Sequence, residues 1–409
     1  MKIQKYKKII EILNNFLKKN KNDEYIFFIH WLHLTRIHKN ENAQYYIFDK
    51  NILIRIFPYK FVSVFLKVLI DCFFYKKFVL KKKEICEDIF VSHITNLPKK
   101  NKFQDRFFPA CFKKNNSVTL LINGTKFSDV KLQKLLQKDH IILSKYFNLA
   151  SYYEYFVRSI RAFLKIRSFY QKSTSDLEKN ILLKTSNELF STATLSNHKF
   201  KQQFREIFDI LSPKRVFFTL EGHTFERSIV SAAREVSSSI KCIGYQHSSH
   251  FYTQNSIFQS YSTSYDPDIV LTTGPLASKF AKSKFENKNI QFYSVGTTKR
   301  LNNIKIIGND CLIAPEGYLS EVKLLSKFGK KIAIERPDIN FILRLHPRSK
   351  NNLLTKLFLS SFTFPKNFYI SDDDISDDLK KCSTLLYRGS TVAIQAGCLG
   401  IIPIYLKLK

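Results

Sequence analysis

Thr384–Leu406 reads TLLYRGSTVAIQAGCLGIIPIYL, and its punctuation decides the fold. An apolar run (Leu385–Tyr387) breaks at a polar turn, Arg388-Gly389-Ser390-Thr391. A helix of small residues follows, then Gly400, then a second apolar run ending at Leu406. Strand, turn, helix and strand make a βαβ unit, which places ligands at the carboxyl ends of its strands. The turn offers two hydroxyls and backbone N–H groups at a helix start, a setting that suits a phosphate. Plain helix capping is the competing use of Ser390 and Thr391.

Upstream, Phe341–Pro347 (FILRLHP) is another apolar run, interrupted by Arg344 and closed by His346-Pro347. Proline holds the preceding residue extended, which aims His346 at the strand's carboxyl edge. Cys311–Pro315 (CLIAP) opens this second series, and Glu316-Gly317 closes its first strand where backbone N–H groups can approach a diphosphate or a base. A helix is expected at about 319–335, and further strands at Phe368–Ser371, Leu385–Tyr387 and Ile401–Leu406. The chain ends three residues after Leu406, where a Rossmann-like domain usually runs on into helices, so a shortened C-terminal domain is one expectation.

A similar rhythm precedes it. Arg215–Leu220 (RVFFTL) ends in Glu221-Gly222-His223, Phe225–Ser237 is helical, and Lys241–His247 (KCIGYQH) is the next strand. Asp268–Thr273 and Asn289–Val295 follow, the latter closing on Gly296. Strands alternating with helices at this spacing predict a parallel, doubly wound sheet. Ser117–Asn123 (SVTLLIN) is a further strand with Asn123-Gly124 as its turn. Residues 128–210 have helical spacing throughout, and 1–20 form a helix with Ile9, Ile10, Leu13, Phe16 and Leu17 on one face. Tyr25–Trp31 (YIFFIHW) is expected to be a strand. Asn51–Leu80 interleaves Lys with aromatic and β-branched residues; a buried helix and strand with snorkelling Lys stems is the expectation, an interfacial patch on anionic headgroups the alternative. The polar, basic segment 297–308 is the expected linker. The sequence thus divides into 1–297, with a helical insertion at about 128–210, and 298–409.

The 409 residues suit two domains, and 44% hydrophobic content supports a substantial core. Lys and Arg number 66 against 34 Asp and Glu, a formal charge of +32 that favours anionic partners: nucleic acid, lipid surfaces or phosphorylated substrates. Much of that excess is Lys in an Ile-, Asn- and Phe-rich chain, which is also what an AT-biased genome produces. Basic residues are spread rather than grouped with stacking aromatics, and no RRM, KH or helix-turn-helix signature occurs, so a nucleic-acid partner is not expected. The seven cysteines lack any CxxC spacing, the usage of a reducing cytoplasm. The basic N-terminus has no apolar h-region, so no signal peptide is expected. No run of about 18 apolar residues exists to span a membrane.

A carboxylate at Glu221, at the end of a strand, could act as general base on a hydroxyl; charge stabilisation of the next helix is its bland use. Glu226 and Arg227 lie on that helix, and neighbours in sequence do not face one site. The acidic run Asp372–Asp374 with Asp377-Asp378 is expected to be solvated loop and helix cap, and no metal site is expected.

The ordered set Leu220–His223 with Glu226-Arg227, Gly244–Ser248, Val295-Gly296, Ala314–Gly317, Arg344–Pro347 and Tyr387–Thr391 resembles the GT-B glycosyltransferases of bacterial surface-polysaccharide assembly. That group builds O-antigen and capsule and includes sialyl- and Kdo-transferase relatives. The resemblance covers about residues 215–405; residues 1–200 carry none of it. It implies an α/β chain of two Rossmann-like domains facing each other across a cleft. It further implies a nucleotide-sugar co-substrate in place of a cofactor, and a lipid-linked or growing glycan as acceptor. The enzyme would be cytoplasmic and peripheral on an anionic inner membrane. His346-Pro347 would contact the nucleotide phosphate or ribose, with Arg344, Arg388–Thr391 and Glu316-Gly317 on the donor side. Glu221 and His247 would stand on the acceptor side. The same frame serves CDP-glycerol-type glycerophosphotransferases, which use a similar His-Pro and Ser/Thr pair, and a catalytically dead relative is a further alternative.

Overall fold

The computed structural model describes residues 2–33, 62–70, 86–94, 105, 107–108, 116–124, 129–134, 136, 139–143, 149–248, 255–297, 305–350 and 352–407. The chain divides into two compact units, Met1–Thr298 and Lys299–Lys409.

The first unit is built on seven parallel strands: β1 (Asp88–Ile94), β2 (Ser117–Asn123), β3 (His140–Ile142), β4 (Arg215–Thr219), β5 (Lys241–Gln246), β6 (Ile269–Thr272) and β7 (Gln291–Ser294). Their order is β3-β2-β1-β4-β5-β6-β7. β1 (DIFVSHI) and β2 (SVTLLIN) are buried almost end to end, as strands covered on both faces must be. On one face Val91, Leu120, Val216 and Phe218 pack with Phe204, Phe208, Ile229 and Ala233. The last four lie on α7 (Thr192–Leu211) and α8 (Thr224–Val236). On the other, Phe90 and Tyr245 pack with Phe108.

A separate helical core joins α1 (Lys2–Lys19), α2 (Glu24–Phe27), α5 (Leu149–Lys172) and α6 (Asp176–Glu188). Ile9, Leu13 and Leu17 of α1 meet Phe27, Phe28, Ala162, Ile166 and Ile181 there. A helix at 62–70, here α3, lays Val64 and Val68 on Tyr155 and Leu195.

The second unit has five parallel strands: β8 (Asp310–Ala314), β9 (Phe341–Leu343), β10 (Phe368–Ile370), β11 (Cys382–Tyr387) and β12 (Ile402–Tyr405), in the order β10-β9-β8-β11-β12. Leu312, Ile342 and Leu385 fill one face with Ala393 and Ala396 of α14 (Val392–Cys398). Cys311, Ile313 and Leu343 fill the other with Leu325 and Ala333 of α10 (Leu319–Glu335). Gly329 sits where a Cβ would lie 2.3 Å from Ile313 Cδ1, so α10 approaches its sheet through a glycine. The expected α/β class with two Rossmann-like domains is the architecture found.

Three expectations need correction. Tyr25–Trp31 is α2 followed by a 3-10 turn (His30–Leu32), not a strand. Asp23 caps it through Ile26 N–H, and Ile26–Ile29 are all buried; an unbroken apolar run carries no period to distinguish helix from strand. The stretch 128–210 is not helical throughout: His140–Ile142 pairs with β2, Thr119 opposite His140. Three residues are too few to register as an alternation. The part of Asn51–Leu80 that is described, α3, is buried on one face only, with Phe65 and Leu66 outside. Residues 51–61 and 71–80 lie outside the described residues, as do 298–304 of the expected linker. Among the described residues no helix is long and apolar enough to cross a membrane.

Candidate active site

Each sheet reverses its strand order once. In the first unit the chain winds outward through β1, β2 and β3, then returns to β1's other side with β4 and continues to β7. The reversal lies between β1 and β4. In the second unit it lies between β8 and β11. Open parallel sheets bind ligands at such points, beyond the carboxyl ends of the strands.

In the first unit β4 leads through Leu220 to Glu221, and β5, whose Tyr245 pairs opposite Thr219, leads from Gln246 to His247. Glu221 therefore stands beside His247. Its carboxylate lies 3.3 Å from Nε2 of His223 and 3.4 Å from Nε2 of His247, and the Ser248 hydroxyl donates to it. Burial alone would raise this carboxyl, but the two imidazoles and the hydroxyl outweigh it and hold it down at about 2. Burial would likewise lower His223, yet Glu221 and Glu226 together hold it above the usual imidazole range. His93, at the end of β1, behaves oppositely. Burial and the repulsion of His223 and His247 push it down to about 4, against the pull of Glu221.

The turn carrying Glu221 is held from below. Glu226, at the third position of α8 and almost fully buried, accepts N–H groups from Glu221 (2.9 Å), Gly222 (2.7 Å) and His223 (2.9 Å). Gly222 has φ +89°, and a Cβ there would lie 2.3 Å from the backbone nitrogen of Ile257; only glycine satisfies both demands. Arg227 faces the other way. It donates to the carbonyls of Tyr265, Ser256 and Gln259 and to Asp266 (2.6 Å), clamping the loop that Gly222 abuts. Aromatic rings wall the cluster. Phe225 stacks on His223 and meets His93 edge-on, and Phe107 meets His247 at 4.5 Å between ring centres. Asp105 places Phe107 by accepting its N–H and the Ser92 hydroxyl.

In the second unit Tyr387 of β11 pairs opposite Ala314 of β8, so Glu316 and Arg388-Gly389 leave adjacent strands together. The Glu316 carboxylate rests on Gly389 so closely that a Cβ there would lie 2.3 Å from Oε1. Glu321, in the first turn of α10, accepts the Glu316 N–H (3.1 Å) and lies 3.8 Å from the Arg388 guanidinium, both side chains buried. Gly317 follows in the same half-buried loop. Ser390 Oγ accepts the Val392 N–H at 3.4 Å, and Thr391 precedes α14 without capping it. Because α14 has only seven residues, hydroxyls and turn N–H groups, rather than a helix dipole, would have to hold a phosphate.

His346 and Pro347 sit exposed beyond β9, where the His346 carbonyl starts the short helix α11 (Pro347–Lys350). Arg344 is engaged elsewhere: it donates at 2.6 Å to the fully buried Asp378 and to the Asp373 carbonyl. The acidic run is likewise paired, Asp372 with Lys350, Asp373 with Lys381 and Asp377 with Lys380.

Sequence reasoning brought Glu221 and His247 together, and Glu316 with Arg388-Gly389. It passed over His223 and His93 as site residues, and Glu226 as the clamp of the turn. A signal for the last was present: a Glu three residues after the helix cap is half of a capping box. His93 had none, since only the β1–β4 pairing brings it alongside.

No protein-family model matches the sequence, and no curated protein matches it. Among solved structures the chain is similar to the UDP-GlcNAc 2-epimerase of Methanocaldococcus jannaschii in complex with UDP-GlcNAc and UDP. That match has 12% identity over 78% of this chain and 83% of that one, with a TM-score of 0.45. It is similar to the UDP-GlcNAc 2-epimerase of Neisseria meningitidis (11%, 78% and 82%, 0.43) and to the calicheamicin glycosyltransferase CalG4 (9%, 78% and 80%, 0.41). Likenesses this distant say nothing of substrate or reaction.

Proposed function

We propose that the protein is a glycosyltransferase, moving a sugar from a nucleotide-sugar donor to a lipid-linked or growing bacterial surface glycan at the inner face of the cytoplasmic membrane. The observation that carries the reading is the carboxylate of Glu221 bridging two imidazoles at the first unit's strand-order reversal. A carboxyl held at about 2 is a poor proton acceptor at neutral pH. Glu221 therefore orients the imidazole pair and stabilises the cation that forms when one of the two imidazoles, His223 or His247, takes the proton of the acceptor hydroxyl. The freed oxygen bonds to the anomeric carbon as the bond from that carbon to the nucleotide phosphate breaks. The proton leaves that imidazole to solvent.

The second unit supplies the donor site. Ser390, Thr391 and the turn's N–H groups suit the leaving phosphate, with His346-Pro347 at the next strand end. Glu316, a carboxylate, suits a ribose hydroxyl better than a phosphate. Arg344 is left out of this site because its guanidinium is committed to Asp378. No metal is assigned, since the acidic run is paired to Lys350, Lys380, Lys381 and Arg344.

Thermal shift with CMP, CDP, UDP and GDP tests the reading, because a ligand of the folded state raises the melting temperature. A shift with one nucleotide, lost in Ser390→Ala/Thr391→Ala, is expected. A shift with none of the four overturns the donor site, and a shift with RNA instead would make the protein a nucleic-acid binder. CDP-glycerol turnover without sugar turnover would reassign the reaction to glycerophosphate transfer.

A further inference from the structure

The helical part of the first unit presents apolar side chains outward where a water-facing surface would be polar. In α5, Leu149, Tyr153, Ile160 and Leu164 are exposed. At 100° per residue they fall within about 60° of one another. The buried residues of the same helix, Tyr155, Ser159, Ala162 and Ile166, lie on roughly the opposite side. Thus α5 has an inner apolar face used by the core and an outer one the described structure leaves open; Tyr153 is 70% and Leu164 62% exposed. The neighbouring α3 repeats the pattern. Val64 and Val68 pack on Tyr155, while Val62, Phe65, Leu66 and Ile70 point away, Leu66 53% exposed. Exposed apolar residues on this scale mark an interaction surface.

The charge around them selects the partner. α5 carries Arg158, Arg161, Lys165, Arg167 and Lys172 against one acid, Glu154; Arg158 pairs with Glu154 and Lys165 with Asp23, and the helix keeps a net positive charge. Two copies meeting through this face would set like charges against each other, and nucleic acid would leave the apolar stripe uncovered. An anionic bilayer satisfies both features: apolar side chains enter the acyl boundary while the cations meet headgroups. We propose that the outer faces of α5 and α3 are the surface through which this protein lies on anionic phospholipid. This deepens the membrane-peripheral part of the function proposed above and is independent of the sugar chemistry.

Co-sedimentation with vesicles tests it, using phosphatidylcholine with and without phosphatidylglycerol at low and high salt. The wild-type protein is expected to bind the anionic vesicles, less so at high salt. Tyr153→Ser/Leu164→Ser and Phe65→Ser/Leu66→Ser should each weaken binding about tenfold, and Arg161→Glu about fivefold or more, with the melting temperature unchanged because all five positions are exposed. Wild-type binding that the variants leave intact overturns this surface while sparing the membrane reading. Failure of the wild type to bind any vesicle overturns both, and neither result touches the nucleotide-shift test. A change in oligomeric state in the variants without lipid would assign the face to a second copy and also overturn the proposal.

Discussion

The two sheets place their candidate sites by one rule and fill them with opposite chemistry. Both sites stand where strand order reverses, beyond β1 and β4 in one unit and β8 and β11 in the other. The first is crowded with titratable groups that displace one another: Glu221 far down, His223 up, His93 down. The second pairs its charges internally, Arg388 with Glu321 and Arg344 with Asp378, and leaves hydroxyls and turn N–H groups. Perturbed titration is what proton transfer requires, whereas a fixed, hydrogen-bonding turn is what holding a phosphate requires. Shared topology thus says where the candidate sites lie, and the side chains say which chemistry each would suit.

The sharpest break of this comparison is Glu221→Gln. It should cut turnover about ten-thousandfold, the scale of losing the group that orients a catalytic base, while the nucleotide-induced melting shift stays intact. Loss of the shift as well would mean that the first unit also binds donor.

Acid should separate the units next. His33 and His198 are buried and held at about 3, and His93 at about 4, in each case first by burial. Folded values below the ordinary 6.5 mean that the unfolded chain takes up these protons first. The stability these three contribute is therefore complete above pH 6.5 and is lost as pH drops towards 4, with a limiting slope of about 1.4 kcal/mol per pH unit for each histidine, offset in part by Glu226, which burial raises to about 7. All three lie in the first unit, and the second unit's one histidine, His346, is exposed. Trp31, the chain's single tryptophan, reports on the first unit by fluorescence during urea unfolding. An unfolding midpoint that does not fall between pH 7 and pH 5 would refute this.

Arg344→Ala should cost about 3 kcal/mol, because it strands the buried Asp378 carboxylate. It should leave nucleotide affinity of the folded protein nearly unchanged, as read by calorimetry below the melting temperature. A large affinity loss would return Arg344 to the donor site. Gly389→Ala carries the smallest effect: a Cβ displaces the Glu316 carboxylate, weakening nucleotide binding about tenfold (about 1.4 kcal/mol), with little change in stability.

Much of this architecture is written locally. Parallel strands buried on both faces are near-continuous apolar runs, so β4, β5, β8, β9 and β11 stand out, and the polar residues that end them are candidates by position. That logic reached Glu221, His247, Glu316 and the Arg388–Thr391 turn. It failed where local signals are silent. Ile26–Ile29 is apolar on every side, so period could not reveal a helix, and His140–Ile142 is too short to show one.

Composition, strand ends and the alternation of elements are properties of short segments, and the amino-acid sequence alone determined two α/β units and the strand-end loops that are candidates for their chemistry. Which loops meet is a property of strand order, which pairs β1 with β4 across 120 residues of intervening chain. Only the tertiary structure decided that His93 joins the Glu221 cluster, that Arg344 is spent on Asp378, and that Glu226 works on the backbone of the turn. Each outcome depends on a pairing between groups distant in the chain or on the direction of one side chain, and neither is encoded by spacing.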